Sequence, residues 1–422
     1  MMTALVIDQF NAPPRLHHVL ILEGQSQYGA NNRFALDLDQ ALQARGHQVT
    51  RTHFDDATFN DIIINAIQGG GTPLSLIISF NGIAKELTIN DTTLSQLLNI
   101  PCINYFVDHP MKQYSRVDLP IEQHINTYVD EAHVDFANRF LNQQFTGLSG
   151  CLKHAGAKVP SSKKAIPYEK RDHQILVAGS YKPFDACWAD LTFDDTPVLT
   201  QLLQTIVEAQ IEDPETPMGS RFLSAFEQVG MTTTLLNKDL FLQLFLRVER
   251  AVEMHFRGGF IQAAAELPLI IAGNGWEQLK KPSKAWEVVG AQPFDWLLEK
   301  IQQVKLVWSQ VYCFTHGGHE RIFYAQANGT AVACDDMPWL RETYDDEKAA
   351  ILISPYNLQA GAEKVGRWLN ESPKKLEAIA KAGQAVCLTN HTWHQRVLSI
   401  EAWIEQYHAY QTLLHPKEYG IF

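Results

Sequence analysis

The chain is short of positive charge. Its 422 residues carry 35 lysines and arginines against 47 aspartates and glutamates, a formal net charge of −12. That balance argues against a broad electrostatic grip on nucleic acid or anionic lipid, while leaving room for a local basic pocket. No C-x-x-C pair occurs among the six cysteines, Cys102, Cys151, Cys187, Cys313, Cys334 and Cys387. Most lie inside apolar runs and read as buried free thiols, not disulfides or zinc ligands. No stretch approaches the ~20 consecutive apolar residues of a membrane span. The opening residues, MMTALVIDQFNAPPRLHH, lack a basic start followed by a long apolar run. No transmembrane segment and no signal peptide are therefore expected, and the cytoplasm is the default location. Internal repeats and low-complexity tracts are missing too.

What is present is a chain too long for one ordinary core, with 45% hydrophobic and 19% charged residues. The spacing predicts alternating strands and helices. HHVLILEG (17–24), HQVTRTHF, PLSLIISFNG (73–82), IPCINYFVDHP (100–110) and HINTYVDEAH (124–133) read as strands. NNRFALDLDQALQARG (31–46) and TLSQLLNI read as helices, as does the stretch through Phe136 and Phe140. KVPSSKKAIPYEKRD (158–172) reads as a linker. The pattern then restarts with strands at 173–180, 267–276, 285–293, 305–310, 330–336 and 349–355, and helices at 294–303, 319–328 and 358–370. Continuous apolar strands alternating with helices argue for a parallel sheet covered on both faces. The expected architecture is α/β, with two Rossmann-like domains facing across a cleft. Such sheets bind ligands beyond the carboxyl ends of their strands. The first domain is expected at 1–160 and the second at 161–395, with a helical insertion at about 185–262 whose role is open. A C-terminal helix is expected at 396–422, with Val397, Ile400, Trp403, Ile404 and Tyr407 on one side of the 394–414 pattern.

The densest chemistry is CFTHGGHERIFYAQANGTAVACDD, 313–336. A strand ending near Gln310 feeds a loop with Gly317 and Gly318, and a helix begins near His319. Glycines let backbone approach a ligand, and a helix N-terminus suits a phosphate. Arg321 in that first turn is a natural fork for a diphosphate. Arg321, Tyr324 and Asn328 share a helix face, and Asn328-Gly329 is a helix stop. On spacing alone, an exposed polar loop and cap is as good a reading. The position at a strand's carboxyl end favours the ligand.

The segment WLLEKIQQVKLVWSQVYCFTHGGHERIFYAQANGTAVACDD resembles the core of the CgeB-like glycosyltransferases, the spore-maturation-protein type, with its His-Glu-Arg-Ile-Phe helix start. DHQILVAGSY, FVDHP and NHTWHQRV are similar to further pieces of that family, in order from about residue 100 to 410. The resemblance implies a GT-B glycosyltransferase of hexosyltransferase type, metal-independent, with no tightly bound cofactor. A nucleotide-diphosphate sugar, first of all a UDP-sugar, would be the donor. The acceptor, whether glycan, protein or small molecule, is open, as is the oligomeric state. Aspartate pairs at 55–56, 194–195, 335–336 and 345–346 do not form the Asp-x-Asp motif of metal-dependent sugar transferases. On this resemblance Gly179, Ser180, Gly290, Gly318, His319, Glu320 and Arg321 would line the donor, with Lys182 close by. Gly24, with Gln25 and Ser26, closes the first strand of the other half, where backbone N–H groups would meet the donor or acceptor; a plain turn is an equal reading. Tyr324 stands where many retaining enzymes place a ribose-binding glutamate, which puts that contact and the stereochemistry in doubt. Asp108 or His109 would serve as catalytic base. DEAHVD (130–135) reads as a loop and first helical turn, not a metal cluster, and His391 as a packing residue beneath Trp393. Two other classes stay open: a non-catalytic sugar- or nucleotide-binding scaffold on the same fold, and an epimerase that needs no acceptor.

Overall fold

The computed structural model describes residues 17–24, 26–69, 71–141, 145, 147–160, 166–231, 237–279, 283–310 and 312–414. Residues 1–16, Gln25, the middle of the expected linker at 161–165 and the end of the C-terminal segment at 415–422 lie outside them. The chain divides into two compact units. One takes in residues up to 129, 137–152 and the chain from 393 onward; the other takes in 130–136 and 153–392.

The first unit is built on a six-stranded parallel sheet: β1 (His18–Glu23), β2 (Gln48–His53), β3 (Leu74–Phe80), β4 (Cys102–Phe106), β5 (His124–Tyr128) and β6 (Leu148–Cys151), in the order β2-β1-β3-β4-β5-β6. Every residue of β1, β4 and β5 is buried, as expected for strands covered on both faces. The chain turns into a helix at Glu131, so the fifth strand is shorter than the apolar pattern suggests. β6 was not anticipated: LSGC is four residues with a glycine, too short to show a period. That glycine has a packing reason. A Cβ on Gly150 would lie 2.2 Å from the Trp403 ring. Trp403 belongs to the long helix Trp393–Leu414, which returns to this unit. Trp393 meets Phe34 and Tyr105, while Glu401 accepts from Arg45 (2.7 Å) and pairs with His47 (2.9 Å).

The second unit carries β7 (Asp172–Ala178), β8 (Leu269–Ala272), β9 (Trp286–Gly290), β10 (Val304–Ser309), β11 (Ala331–Asp335) and β12 (Ile351–Ile353). All are parallel, in the order β9-β8-β7-β10-β11-β12. This is the doubly wound order of a Rossmann sheet, and its direction of winding reverses between β7 and β10. One apolar cluster packs Ile175, Val177, Leu306 and Trp308 of the central strands against Phe260, Ile261 and Val365 of the covering helices. Part of the expected linker is fixed to this unit. The Tyr168 hydroxyl donates to Lys305 O (2.7 Å), and Arg171 donates to Gly329 O and Thr330 Oγ1 (3.1 and 2.8 Å).

Between β7 and β8 the described residues of the insertion form four helices, Phe184–Ala189, Pro197–Glu212, Met218–Gln228 and Lys238–Ala263. Phe222, Phe226, Phe241 and Phe245 hold the last two together by ring contacts. The sequence reading also passed over Pro373–Asn390, whose Leu376, Ile379, Ala380, Gly383 and Cys387 form a buried helical stripe. Cys102, Cys187, Cys334 and Cys387 are buried, and none of the six cysteines is in a disulfide. Among the described residues, no helix is long and apolar enough to cross a membrane.

Candidate functional site

The winding reversal in the second unit puts two strand ends side by side: Ala178, closing β7 and followed by Gly179-Ser180, and Ser309, closing β10 and followed by Gln310. Below them starts the helix Glu320–Ala327, with His319 as its N-cap. The Arg321 guanidinium reaches up from the first turn, and its NH1 donates to the Ala178 carbonyl at the tip of β7. Arg321 and Glu320 are both buried. Glu320 Oε2 lies 2.8 Å from His319 Nδ1 and 3.8 Å from His154 Nε2. Nδ1 of His319 also faces N and Nε of Arg321 at 3.4 and 3.2 Å, and its Nε2 lies 3.1 Å from NH2 of Arg321, so the tautomer decides which of these contacts His319 donates and which it accepts. Burial works to raise the Glu320 carboxyl, but His319, His154 and Arg321 outweigh it and hold it at about 2. Burial lowers the Arg321 guanidinium; Glu320 opposes that, and a second guanidinium, Arg257, adds to it.

Arg257 was missed by sequence reasoning. It sits near the end of the long insertion helix, and its NH1 donates to the Ser180 carbonyl (2.6 Å). Its guanidinium lies flat on Gly179, where a Cβ would come within 2.9 Å of Cζ. Its neighbours dock the same helix around the site. Phe256 packs on Tyr312 with ring centroids 3.9 Å apart, and a Cβ on Gly258 would lie 3.0 Å from the Tyr181 ring. The only sequence signal was Arg257-Gly258-Gly259 late in a helical run, where two glycines cost helix stability unless something approaches closely.

A glycine-lined backbone surface continues from there. Gly273 has φ +149°, and a Cβ on it would meet the Gly179 carbonyl at 2.1 Å. Gly273 N donates to Gly290 O (2.8 Å), so Gly290 joins Gly179 at the same sheet edge. Trp276 Nε1 donates to Gly179 O (2.9 Å) and stacks on Tyr181. Gly179, Ser180, Gly290, His319, Glu320 and Arg321 are thus gathered about the ends of β7, β8, β9 and β10. Lys182 is nearby but bonded to Asp190.

Other expected residues fall elsewhere. Tyr324 has no exposed surface and meets Phe294 edge-on, so its side chain belongs to the core and offers a ribose nothing. Gly318 is buried, and its missing Cβ makes room for Phe323 and Trp339 at 2.9 and 3.0 Å. His391 does pack, but against Phe323 and Trp339. In the first unit, Gly24 ends β1 close against Ile83, where a Cβ would lie 2.4 Å from Cδ1. Asp108 follows β4, partly exposed, with Asn81 Nδ2 donating to its Oδ2 at 3.5 Å. His109 is buried, and its Nδ1 accepts from Met111 N (3.2 Å), a turn cap.

Asp130 is a buried bracket: one carboxylate oxygen accepts from His316 N (2.9 Å), the other from Ala132 N (2.7 Å). The one Asp-x-Asp spacing, Asp37-Leu38-Asp39, lies in the helix Ala30–Ala44, with Asp37 paired to Arg33 and Asp39 to Arg51. Among the described residues, no group of three or more His, Cys, Asp or Glu side chains is placed to hold a metal ion.

Residues 257–402, from Arg257 through the His319-Glu320-Arg321 turn, match the model of a family described as glycosyl transferase-like. No curated protein matches the chain in sequence. Solved structures do match in fold. Sucrose-phosphate synthase from Thermosynechococcus elongatus is similar over 94% of this chain and 100% of its own, with 13% identity and a TM-score of 0.51. HepE of Anabaena, solved with UDP and glucose, is similar over 92% of this chain and 100% of its own, at 10% identity and a TM-score of 0.50. An alpha-glucosyltransferase, solved with UDP and a 13-mer DNA, covers 93% of this chain and 100% of its own, at 9% identity and a TM-score of 0.51. At these identities the likeness is one of fold. The chain has the α/β fold of the GT-B glycosyltransferases, with a six-stranded parallel sheet in each half.

Proposed function

We propose that the chain is a metal-independent glycosyltransferase of the CgeB-like type, moving a hexosyl group from a nucleoside diphosphate sugar to a hydroxyl or amino acceptor. A UDP-sugar is the first candidate donor, and the UDP bound in two proteins of the same fold supports that choice. The observation that carries the reading is the pair of arginines at the winding reversal. Arg321 and Arg257 each commit one N–H to a backbone carbonyl of the 178–180 turn, and that turn sits beside the N-terminus of the helix Glu320–Ala327. Pre-positioned guanidiniums and a helix N-terminus stabilise charge that develops on a departing diphosphate. In the reaction the bond from C1 of the sugar to the diphosphate oxygen breaks, and C1 bonds to the acceptor. The bonding pair leaves with the diphosphate. The acceptor proton goes to a base, and the partial exposure of Asp108 favours it for that role over the buried His109.

The test is thermal shift and calorimetry with a panel of nucleoside diphosphates and their sugars, on the wild type and Arg321→Lys. The lysine keeps the buried charge and loses the fork. A ligand that binds only the native state raises the midpoint. A rise with one nucleoside diphosphate, diminished in Arg321→Lys and unaffected by EDTA, supports the reading. No rise with any donor on a folded protein overturns it.

A further inference from the structure

Four charges meet at the 178–180 turn. Arg321 feels Glu320, Arg257 and Glu253, and Arg257 NH2 is bonded to Glu253 Oε1 one helical turn earlier. Leaving the imidazoles aside, two guanidiniums face two carboxylates, and these four groups carry no net charge to offer an anion. The two carboxylates differ in exposure. Glu320 is enclosed, its side chain 12% exposed between His319 and His154. The Glu253 side chain is 43% exposed and borders water. Arg257 does not depend on Glu253 for its pose, since Ser180 O and the face of Gly179 also fix it.

We propose that Glu253 screens Arg257 as an internal stand-in for the donor's diphosphate, and that donor binding displaces it. This rests on the donor site proposed above. Glu253 then sets donor affinity: its carboxylate competes with the diphosphate for one N–H edge of Arg257. When it swings away, the cluster gains one net positive charge where the diphosphate arrives. A Glu four residues before an Arg also steadies a helix, but that role alone makes no difference to an anion.

The experiment is calorimetric titration of UDP into the wild type, Glu253→Gln, Glu253→Ala, Arg257→Ala and the Glu253→Gln/Arg257→Ala double variant, each checked by circular dichroism. The expected result is roughly 2- to 5-fold tighter UDP binding in Glu253→Gln, the range of one partly exposed ion pair. The gain should vanish in the Arg257→Ala background. Binding by Glu253→Gln but not by the wild type supports the proposal as well. Unchanged or weaker binding in both Glu253 variants, with UDP bound by the wild type, overturns the screen and leaves the donor site standing. UDP bound by neither wild type nor Glu253 variants overturns the donor reading and the screen with it.

Discussion

The NH1 of Arg257 donates to the carbonyl of Ser180 across 2.6 Å, although the two residues are 77 positions apart. That contact makes the insertion part of the proposed donor site. A helix added between β7 and β8 returns its last turns to the tip of β7, with Phe256 on Tyr312 to one side and Gly258 against Tyr181 to the other.

Arg257 and Arg321 should therefore separate binding from stability. Arg257→Ala removes a guanidinium whose side chain is 12% exposed but whose charged partner, Glu253, reaches water. It should weaken UDP binding about 10- to 100-fold, the worth of one charged hydrogen bond, and lower stability less than the loss of Arg321 does. Arg321→Ala strips a buried arginine from beside buried Glu320, so it should also cost roughly 3–5 kcal/mol of stability. Chemical denaturation and titration of the two variants check this. Equal stability losses would contradict the different environments.

Two glycines divide the same way. Gly318→Ala places a methyl 2.9 Å from Phe323 and 3.0 Å from Trp339, inside a buried cluster. It should destabilise by about 1–3 kcal/mol. Gly179→Ala presses on Arg257 at 2.9 Å, with φ at +155° in a region side chains avoid. It should displace the guanidinium and act chiefly on nucleotide affinity. A Gly179→Ala protein that binds UDP like the wild type would remove Arg257 from the site.

How much of this was legible follows from what each residue's role depends on. All six strands of the second unit, and the start of the His319 helix, show in the sequence because long apolar runs and a glycine loop are local signals. The position of Arg321 was legible because it depends only on its own helix turn. Arg257 was not, because its meaning comes from a 77-position return that no local pattern records. Tyr324 was misplaced for the opposite reason. Helical spacing put it on Arg321's face, and only the packing of Phe294 shows that this part of the face is closed to solvent. His109 was ambiguous between base and turn residue, and Met111 N settles which atom its Nδ1 serves.

Acid should act through Glu320. Its carboxyl is held at about 2 in the fold, from an ordinary value of 4.5. A depressed carboxyl contributes stability that is complete above the unfolded value and is lost as pH falls towards the folded one. The window is therefore about pH 4.5 down to 2. Glu320→Gln should be less stable than the wild type at pH 7 and should approach it through that window. Urea melts at pH 7, 4.5 and 3 measure the gap. A gap of constant size would show that the carboxylate's charge contributes nothing.

Lys85 should behave in the reverse sense. It is 3% exposed, donates to Leu119 O (3.3 Å) and lies over the Phe145 ring at 5.0 Å. Burial lowers its ammonium from 10.5 to about 7, with Cys102 and Asp118 only partly opposing. Above pH 10.5 the amine is neutral folded or unfolded and carries no penalty. As pH falls from 10.5 to 7, the unfolded chain takes up a proton that the folded one refuses, so stability drops. Below 7 the penalty is complete and constant. Lys85→Met should therefore stabilise the protein by a few kcal/mol at pH 6, of the order the shift implies. The advantage should shrink steadily towards pH 10.5, where only the lost bond to Leu119 remains. Denaturant melts of both proteins at pH 6, 8 and 10 read the difference directly, and a difference independent of pH would mean that Lys85 keeps its charge in the core.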